Sequence, residues 1–270
     1  MSDLILFWHR RDLRIADNLG LAAARQHSAH LVGVFCLDPQ ILQGNDIAPV
    51  RVVYMVGCLQ QLQQRYHQLG SQLLILSGHP VLAIPRLATA LSAEAVYWNL
   101  DVEPYAQSRD RAVEAALQQA GIPVYTQWDQ LLHGPESILT GSGQPYTVYT
   151  PFWRNWITQA KAEPVAVLGS FTGLTPTEAD LASTAGAIAL PTAPDLGFYL
   201  GSGTRAGARG SGGPGTLAGI FCPGDRRLSG TASFPSSSGH FPAQSSPEVW
   251  SDWHSYCLGS DPDCFGRLPQ

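Results

Sequence analysis

The sequence predicts a five-stranded, doubly wound α/β domain over residues 4 to about 130, and three observations carry that prediction. Five short apolar runs alternate with four helical periods. The runs are continuous rather than alternating with polar residues, which suits strands buried on both faces. Helices between such strands imply parallel pairing through right-handed crossovers. The first strand is 4-LILFW-8, followed by the helix 18-NLGLAAARQH-27 with Asp17 as its expected N-cap. The second strand, 30-HLVGVFCL-37, leads to a long helix, 51-RVVYMVGCLQQLQQRYHQLG-70. Next come the strand 73-LLILSG-78, the helix 80-PVLAIPRLATALSA-93 and the strand 95-AVYWNL-100. The last helix, 105-YAQSRDRAVEAALQQAG-121, ends at Gly121 and Pro123, both stop signals, and 123-PVYTQW-128 is the fifth strand.

Composition narrows the function classes. A net charge of −5 lacks the basic excess of a chain that binds nucleic acid through its overall field. No apolar run reaches the ~18 residues that span a bilayer. The N-terminus also lacks the basic flank and small-residue cleavage site of a signal peptide. A soluble cytoplasmic protein without membrane contact is expected. Cys36, Cys58, Cys222, Cys257 and Cys264 show no C-x-x-C and no His/Cys ligand spacing, so no metal site is expected.

The second half differs from the first. Residues 131–198 are less regular but protein-like, with 143-GQPYTVYTPFWRNW-156 and a Pro/Thr-rich stretch ending in 190-LPTAPDLGF-198. The last 72 residues hold 13 Gly, 12 Ser and 7 Pro against 11 Leu, Ile, Val or Phe. Such a segment buries too little apolar surface to offset chain entropy. The expected organisation is an α/β domain over 1–132, the end of that domain and an irregular linker over 133–198, and a disordered tail over 199–270.

Parallel α/β domains bind ligands beyond the carboxyl ends of their strands. There, 8-WHRRDLRIADN-18 places Arg10, Arg11, Asp12, Arg14, Asp17 and Asn18 in one loop. A structural salt-bridge net and an anion-binding loop account equally well for this composition. Together with 35-FCLDP-39, 101-DVEPY-105, 128-WDQLLHGPESILTGSGQPYTVYTPFWRNW-156 and 190-LPTAPDLGF-198, the loop resembles the DNA photolyase/cryptochrome family, in its deazaflavin-type branch. The resemblance covers residues 3–198. It implies a Rossmann-like antenna domain holding 8-hydroxy-5-deazaflavin. It further implies a separate helical domain that holds FAD and acts on UV-damaged DNA as a light-driven carbon–carbon lyase for pyrimidine dimers. Carried onto this sequence, it implies antenna contacts at Phe35, Cys36, Asp38, Arg51, Asp101 and Glu103. An aromatic face, an arginine at a helix start and carboxylates accepting from ring or ribityl groups suit such a ligand. Asp101 and Glu103 also fit a plain role at the start of the following helix.

Several other features of the sequence carry no site. The stretch 201-GSGTRA-206 matches a dinucleotide fingerprint, but 207-GARGSGGPG-215 cannot open the helix it requires. His9 and His133 have no partner pattern, and 152-FWRNW-156 is expected to pack the domain's edge. The stretch 239-GHFPAQSSPEVWSDWHSYC-257 has the look of an aromatic site. Permitted codons for Gly239–Ser255, read one base later, give Gly-Thr-Ser-Gln-Leu-Ser-Pro-Ala-Leu-Lys-Phe-Gly-Ala-Ile-Gly-Ile. That contains every fixed position of G-T-S-x-L-S-P-x-L-x-F-G, the motif that opens the family's FAD domain. Pro223–Thr231, shifted likewise, gives the helix-forming Arg-Ala-Ile-Ala-Asp-Tyr-Gln-Glu. The expectation is a frameshift at or just after Phe198, with the FAD site and all catalytic residues missing and no repair by this chain. The alternatives are a stand-alone nucleotide- or flavin-binding α/β module and a fragment of a cryptochrome-type blue-light receptor.

Overall fold

The computed structural model describes residues 3–199 apart from 45–46, 136 and 167. The five expected strands are present: β1 (Ile5–His9), β2 (Leu31–Leu37), β3 (Leu73–Ser77), β4 (Ala95–Asn99) and β5 (Val124–Gln127). All pair in parallel. A sixth strand, β6 (Ala187–Ile188), adds antiparallel to β3, so the order is β5-β4-β1-β2-β3-β6. This edge strand is the one departure from the expected five. It pairs through only two residues, Ile188 opposite Ile75 and Ala187 opposite Leu76, too few to leave a periodic signal.

Alternation along the strands divides the core in two. On one face Leu4, Leu6, Trp8, Val34, Cys36, Val96 and Trp98 pack against α4 (Pro80–Ala90) and α5 (Pro104–Gln119). On the other, Ile5, Phe7, Phe35, Ile75 and Tyr97 pack against α1 (Leu19–His27) and α3 (Pro49–Gln68). The result is three layers, with the sheet in the middle. Gly33 shows how closely α3 approaches: a Cβ there would stand 2.6 Å from the Tyr66 ring, so glycine is required.

Local details depart from expectation in two places. The N-cap of α1 is Asn18, whose side chain accepts from the Leu21 N–H, and not Asp17. Asp17 instead takes a left-handed φ of 50° and accepts the Val165 N–H at 2.9 Å. The segment read as irregular contains α6 (Tyr149–Thr158) and α7 (Pro176–Thr184). α7 opens with Pro176 at its first turn and a capping box between Thr175 and Glu178, and its Ala182 enters the α4/α5 core. The short α2 (Pro39–Leu42) follows β2 directly. The frameshift reading, the tail's expected disorder and the stretches 201–206 and 239–257 lie outside the described residues.

Candidate functional site

The strand order reverses between β1 and β4, so the loops after these two strands flank the topological switch point. A chain of alternating charges runs there. Asp38, just after β2, lies 3.9 Å from Arg109 of α5, and Arg109 pairs with Asp110 at 2.8 Å. Asp110 also holds Arg10 at 2.5 Å. Farther along, Arg11 lies 3.5 Å from Asp101 and 3.4 Å from Glu103. The guanidiniums of Arg10 and Arg109 both stack on Trp8, 4.9 and 5.0 Å from the ring.

Beneath this row lies a buried polar network that fixes the β1 loop. Asp12 accepts from the Arg10 N–H at 2.9 Å and from the Asn99 amide at 2.6 Å. Asn99 in turn donates to Asn18 and accepts from the Gly20 N–H. His9 donates from Nδ1 to the Asp12 carbonyl, and its Nε2 accepts from the Tyr66 hydroxyl at 2.8 Å. Burial drives the His9 pKa down and keeps the ring neutral, consistent with that pattern. Burial pushes the Asp12 carboxyl up, but His9, the Arg10 N–H and guanidinium, and Asn99 outweigh it and hold it below the usual aspartate value.

The arginine loop is therefore a salt-bridge net. Arg10 pairs with Asp110, Arg11 with Asp101 and Glu103, and Arg14 with Asp129 at 2.6 Å. The expected contact residues separate into groups. Phe35 and Cys36 are adjacent on β2 and so face opposite sides of the sheet. Arg51 lies in the first turn of α3 and is exposed. Asp38 is buried, accepting from the Tyr105 hydroxyl at 2.5 Å and from the Gln40 N–H. Asp101 is buried as well, accepting from the Glu103 N–H at 3.1 Å and from Gln130 at 3.2 Å. Glu103 occupies the N-cap position of α5 without a side-chain cap bond, so neither carboxylate caps that helix through its side chain. Glu103 and Arg11 remain open to solvent, with side chains 51% and 59% exposed.

The Cys36 thiol donates to the Gly78 carbonyl, and burial, reinforced by Asp38, pushes its pKa to about 12. It is protonated at neutral pH and unsuited to nucleophilic chemistry. Burial also raises Tyr105, helped by its bond to Asp38, so the phenol remains the donor. No sequence motif singles out Tyr105, Arg109 and Asp110 as site residues. A signal was there: Tyr105, Arg109, Val113 and Leu117 recur every four residues, which puts an arginine on the helix's apolar stripe.

The segments that follow β2, β3 and β4 carry exposed apolar side chains: Ile41, Val50, Tyr54, Leu82 and Val102. Three buried donors, Trp8 Nε1, Trp98 Nε1 and Arg10 Nε, have no acceptor among the described residues. A shallow groove of about 630 Å³ lined by Gln63, Gln64, His67 and Gln72 begins at the opposite, amino end of β3 and shares none of these residues. No helix among the described residues is long and apolar enough to cross a membrane, and none of their His, Cys, Asp and Glu side chains form a metal-holding group.

Residues 5–169 match the family described as DNA photolyase. The deoxyribodipyrimidine photo-lyase of Synechococcus sp. (strain ATCC 27144 / PCC 6301 / SAUG 1402/1) is 58% identical over 198 residues, which cover 73% of this chain and 41% of that protein. An uncharacterized 31.6 kDa protein from the atpI 5′ region of Synechococcus sp. (strain PCC 6716) is 58% identical over 195 residues, 72% of this chain and 66% of that one. Among solved structures, an archaeal photolyase from Sulfolobus tokodaii superposes with a TM-score of 0.58 at 26% identity, over 71% of this chain and 40% of its own. That structure is described as holding two FAD molecules, with the implication of a novel light-harvesting cofactor. The chain thus spans about two-fifths of the length of the Synechococcus photo-lyase it matches. By its motifs, its strand order and this match, the chain belongs to the DNA photolyase family and carries that family's amino-terminal α/β domain.

Proposed function

We propose that the carboxyl edge of this sheet binds a light-harvesting chromophore of the 8-hydroxy-5-deazaflavin class, and that residues 1–198 are the antenna part of a deoxyribodipyrimidine photo-lyase. The observation that carries the reading is the charge row from Asp38 to Glu103 at the switch point, with exposed apolar residues in the segments that follow β2, β3 and β4. A flat ring with polar edges fits such a surface: the apolar residues take its faces, and the charged groups take its donors and acceptors. Glu103, Arg11 and Arg51 are the exposed members that would meet the ligand, whereas Asp38 and Asp101 are held by the chain's own donors and shape the site from below. A photolyase of the same fold, described with two FAD molecules and a novel light-harvesting cofactor, supports the light-harvesting part of the reading and not the deazaflavin class.

A stand-alone nucleotide-binding module has less support. Phosphate recognition uses the free N–H groups of a helix's first turn. α2, α3, α4 and α5, which follow β2, β3 and β4, each place a proline there and lose one of those donors. FAD binding, action on UV-damaged DNA and a cytoplasmic location come to this chain only through its family. We assign repair to the larger part of the photo-lyase that this chain does not match, so light-dependent dimer splitting by the purified 270-residue chain would contradict the assignment. Resequencing the gene across the Phe198 codon tests the frameshift reading. A gained or lost base with an open frame continuing beyond supports it, and the frame confirmed as it stands removes it.

Titration with 8-hydroxy-5-deazaflavin, followed by its fluorescence, tests the site. Glu103→Ala and Arg11→Ala should each weaken binding about tenfold, the worth of one charge-assisted hydrogen bond. Gln63→Ala, in the groove at the other end of β3, should leave it unchanged.

A further inference from the structure

α6 presents two different sides. Phe152, Asn155 and Trp156 hold it to its own chain. Phe152 meets Tyr146 edge-on at 6.1 Å, and Asn155 donates to the Leu139 carbonyl and the Tyr146 hydroxyl. Trp156 rests against His133, with the Lys161 ammonium 4.2 Å above its ring. On another side, Tyr149, Trp153 and Ile157 follow at a spacing of four and are 64%, 44% and 50% exposed. Together they form one apolar stripe.

Within the FWRNW cluster, Phe152 and Trp156 pack on Tyr146, His133 and Lys161 of their own segment, and Trp153 is left exposed. No residue of this ten-residue helix is buried, and its N-cap position, Val148, provides no side-chain cap. So short a helix draws its stability from packing of an apolar face. Here the uncovered face carries the side-chain types that dominate binding interfaces, at the spacing of a helix seated in a groove.

We infer that the Tyr149–Trp153–Ile157 stripe is a docking surface for the carboxyl-terminal part that the longer photo-lyases carry beyond the segment matched here. The inference rests on family membership and not on the chromophore reading. α6 lies inside the matched residues 5–169, so it belongs to the shared part of the family, and most of the Synechococcus protein lies outside the match. Interface size favours a tethered partner over a second copy. Three half-exposed side chains offer on the order of 300–400 Å², against about 800 Å² per partner in a stable free association. A covalently linked partner needs no such area, because its local concentration is high.

The test compares two full chains. One is the 270-residue protein; the other is a fusion in which residues 1–198 replace the matched segment of the Synechococcus photo-lyase. Hydroxyl-radical labelling, read by peptide mass spectrometry, reports the exposure of each aromatic residue. Trp153 should label at least about fivefold more slowly in the fusion, as expected for a residue in a water-excluding interface. Phe152 and Trp156 should change little. Trp153→Glu should lower the melting temperature of the fusion and leave that of the 270-residue chain unchanged. Equal labelling of Trp153 in both chains would overturn the inference, and so would a fusion whose two parts melt independently. Protection of Trp153 in the 270-residue chain that is lost on dilution would assign the stripe to a second copy, and overturn it as well. Deazaflavin binding is read in none of these measurements, so this inference and the chromophore reading stand or fall separately.

Discussion

Replacing Asp12 by alanine should destabilise the domain by about 3–5 kcal/mol, the cost of breaking a buried charged network by removing one member. The Arg10 N–H and one Asn99 amide proton would lose their acceptor in a region closed to water. Asp12→Asn should cost nearly as much despite its matching shape. Its amide can satisfy only one of these neighbours, because its NH₂ group would face a donor. Denaturant melts of the two variants check this, and a loss under about 1 kcal/mol for both would show that the network is not what fixes the β1 loop.

The same network sets the acid sensitivity. The folded-state pKa of His9 is lowered, so the unfolded chain binds the proton first and stability falls as pH drops below the ordinary value of about 6.5. The folded-state pKa of Asp12 is lowered too. Its contribution is complete above about pH 3.9 and is lost as pH falls through the depressed value. Both effects have one sign, so stability should decline steadily into acid, and His9→Gln should remove the upper part of that decline.

Trp8→Ala should be comparably severe, at about 3–5 kcal/mol for a fully buried tryptophan. Trp8 meets Trp98 edge-on at 5.5 Å, and it is the surface on which Arg10 and Arg109 both stack. Each stacked cation adds roughly 0.5–2 kcal/mol, depending on how dry it is. Trp8→Phe keeps an aromatic face and should cost less than half as much in the same melt. Because Arg109 reaches from Trp8 to Asp38, Trp8→Ala should also weaken deazaflavin binding at temperatures where the variant remains folded. Unchanged affinity would separate the charge row from the ligand.

Much of this fold was legible in the sequence for a physical reason. Strands buried on both faces must be apolar throughout, so 30-HLVGVFCL-37 and 95-AVYWNL-100 declare themselves without neighbours. β6 does not, since its two residues are placed by β3 and not by their own pattern. α7 carries its own local signal: Thr175, Pro176 and Glu178 form a capping box with proline at the first turn, inside a stretch that composition alone marks as linker. The site divides in the same way. The loop positions Asp38, Asp101 and Glu103 could be carried over by motif. Their partners Tyr105, Arg109 and Asp110 could not, because pairing across 67 residues, as between Asp38 and Tyr105, is a property of topology and not of local sequence. The strand period also separates Phe35 from Cys36, which the motif had grouped together.

The chromophore site proposed for this chain is the carboxyl edge of the sheet. Backbone amide spectra of the ¹⁵N-labelled chain, recorded while 8-hydroxy-5-deazaflavin is added, test it most directly. Saturable shifts are expected at Cys36–Asp38, at Arg51 and at Asp101–Tyr105, with the arginine loop Arg10–Asp12 following. Shifts confined to Gln63–Leu74, or none at saturating ligand, would contradict it.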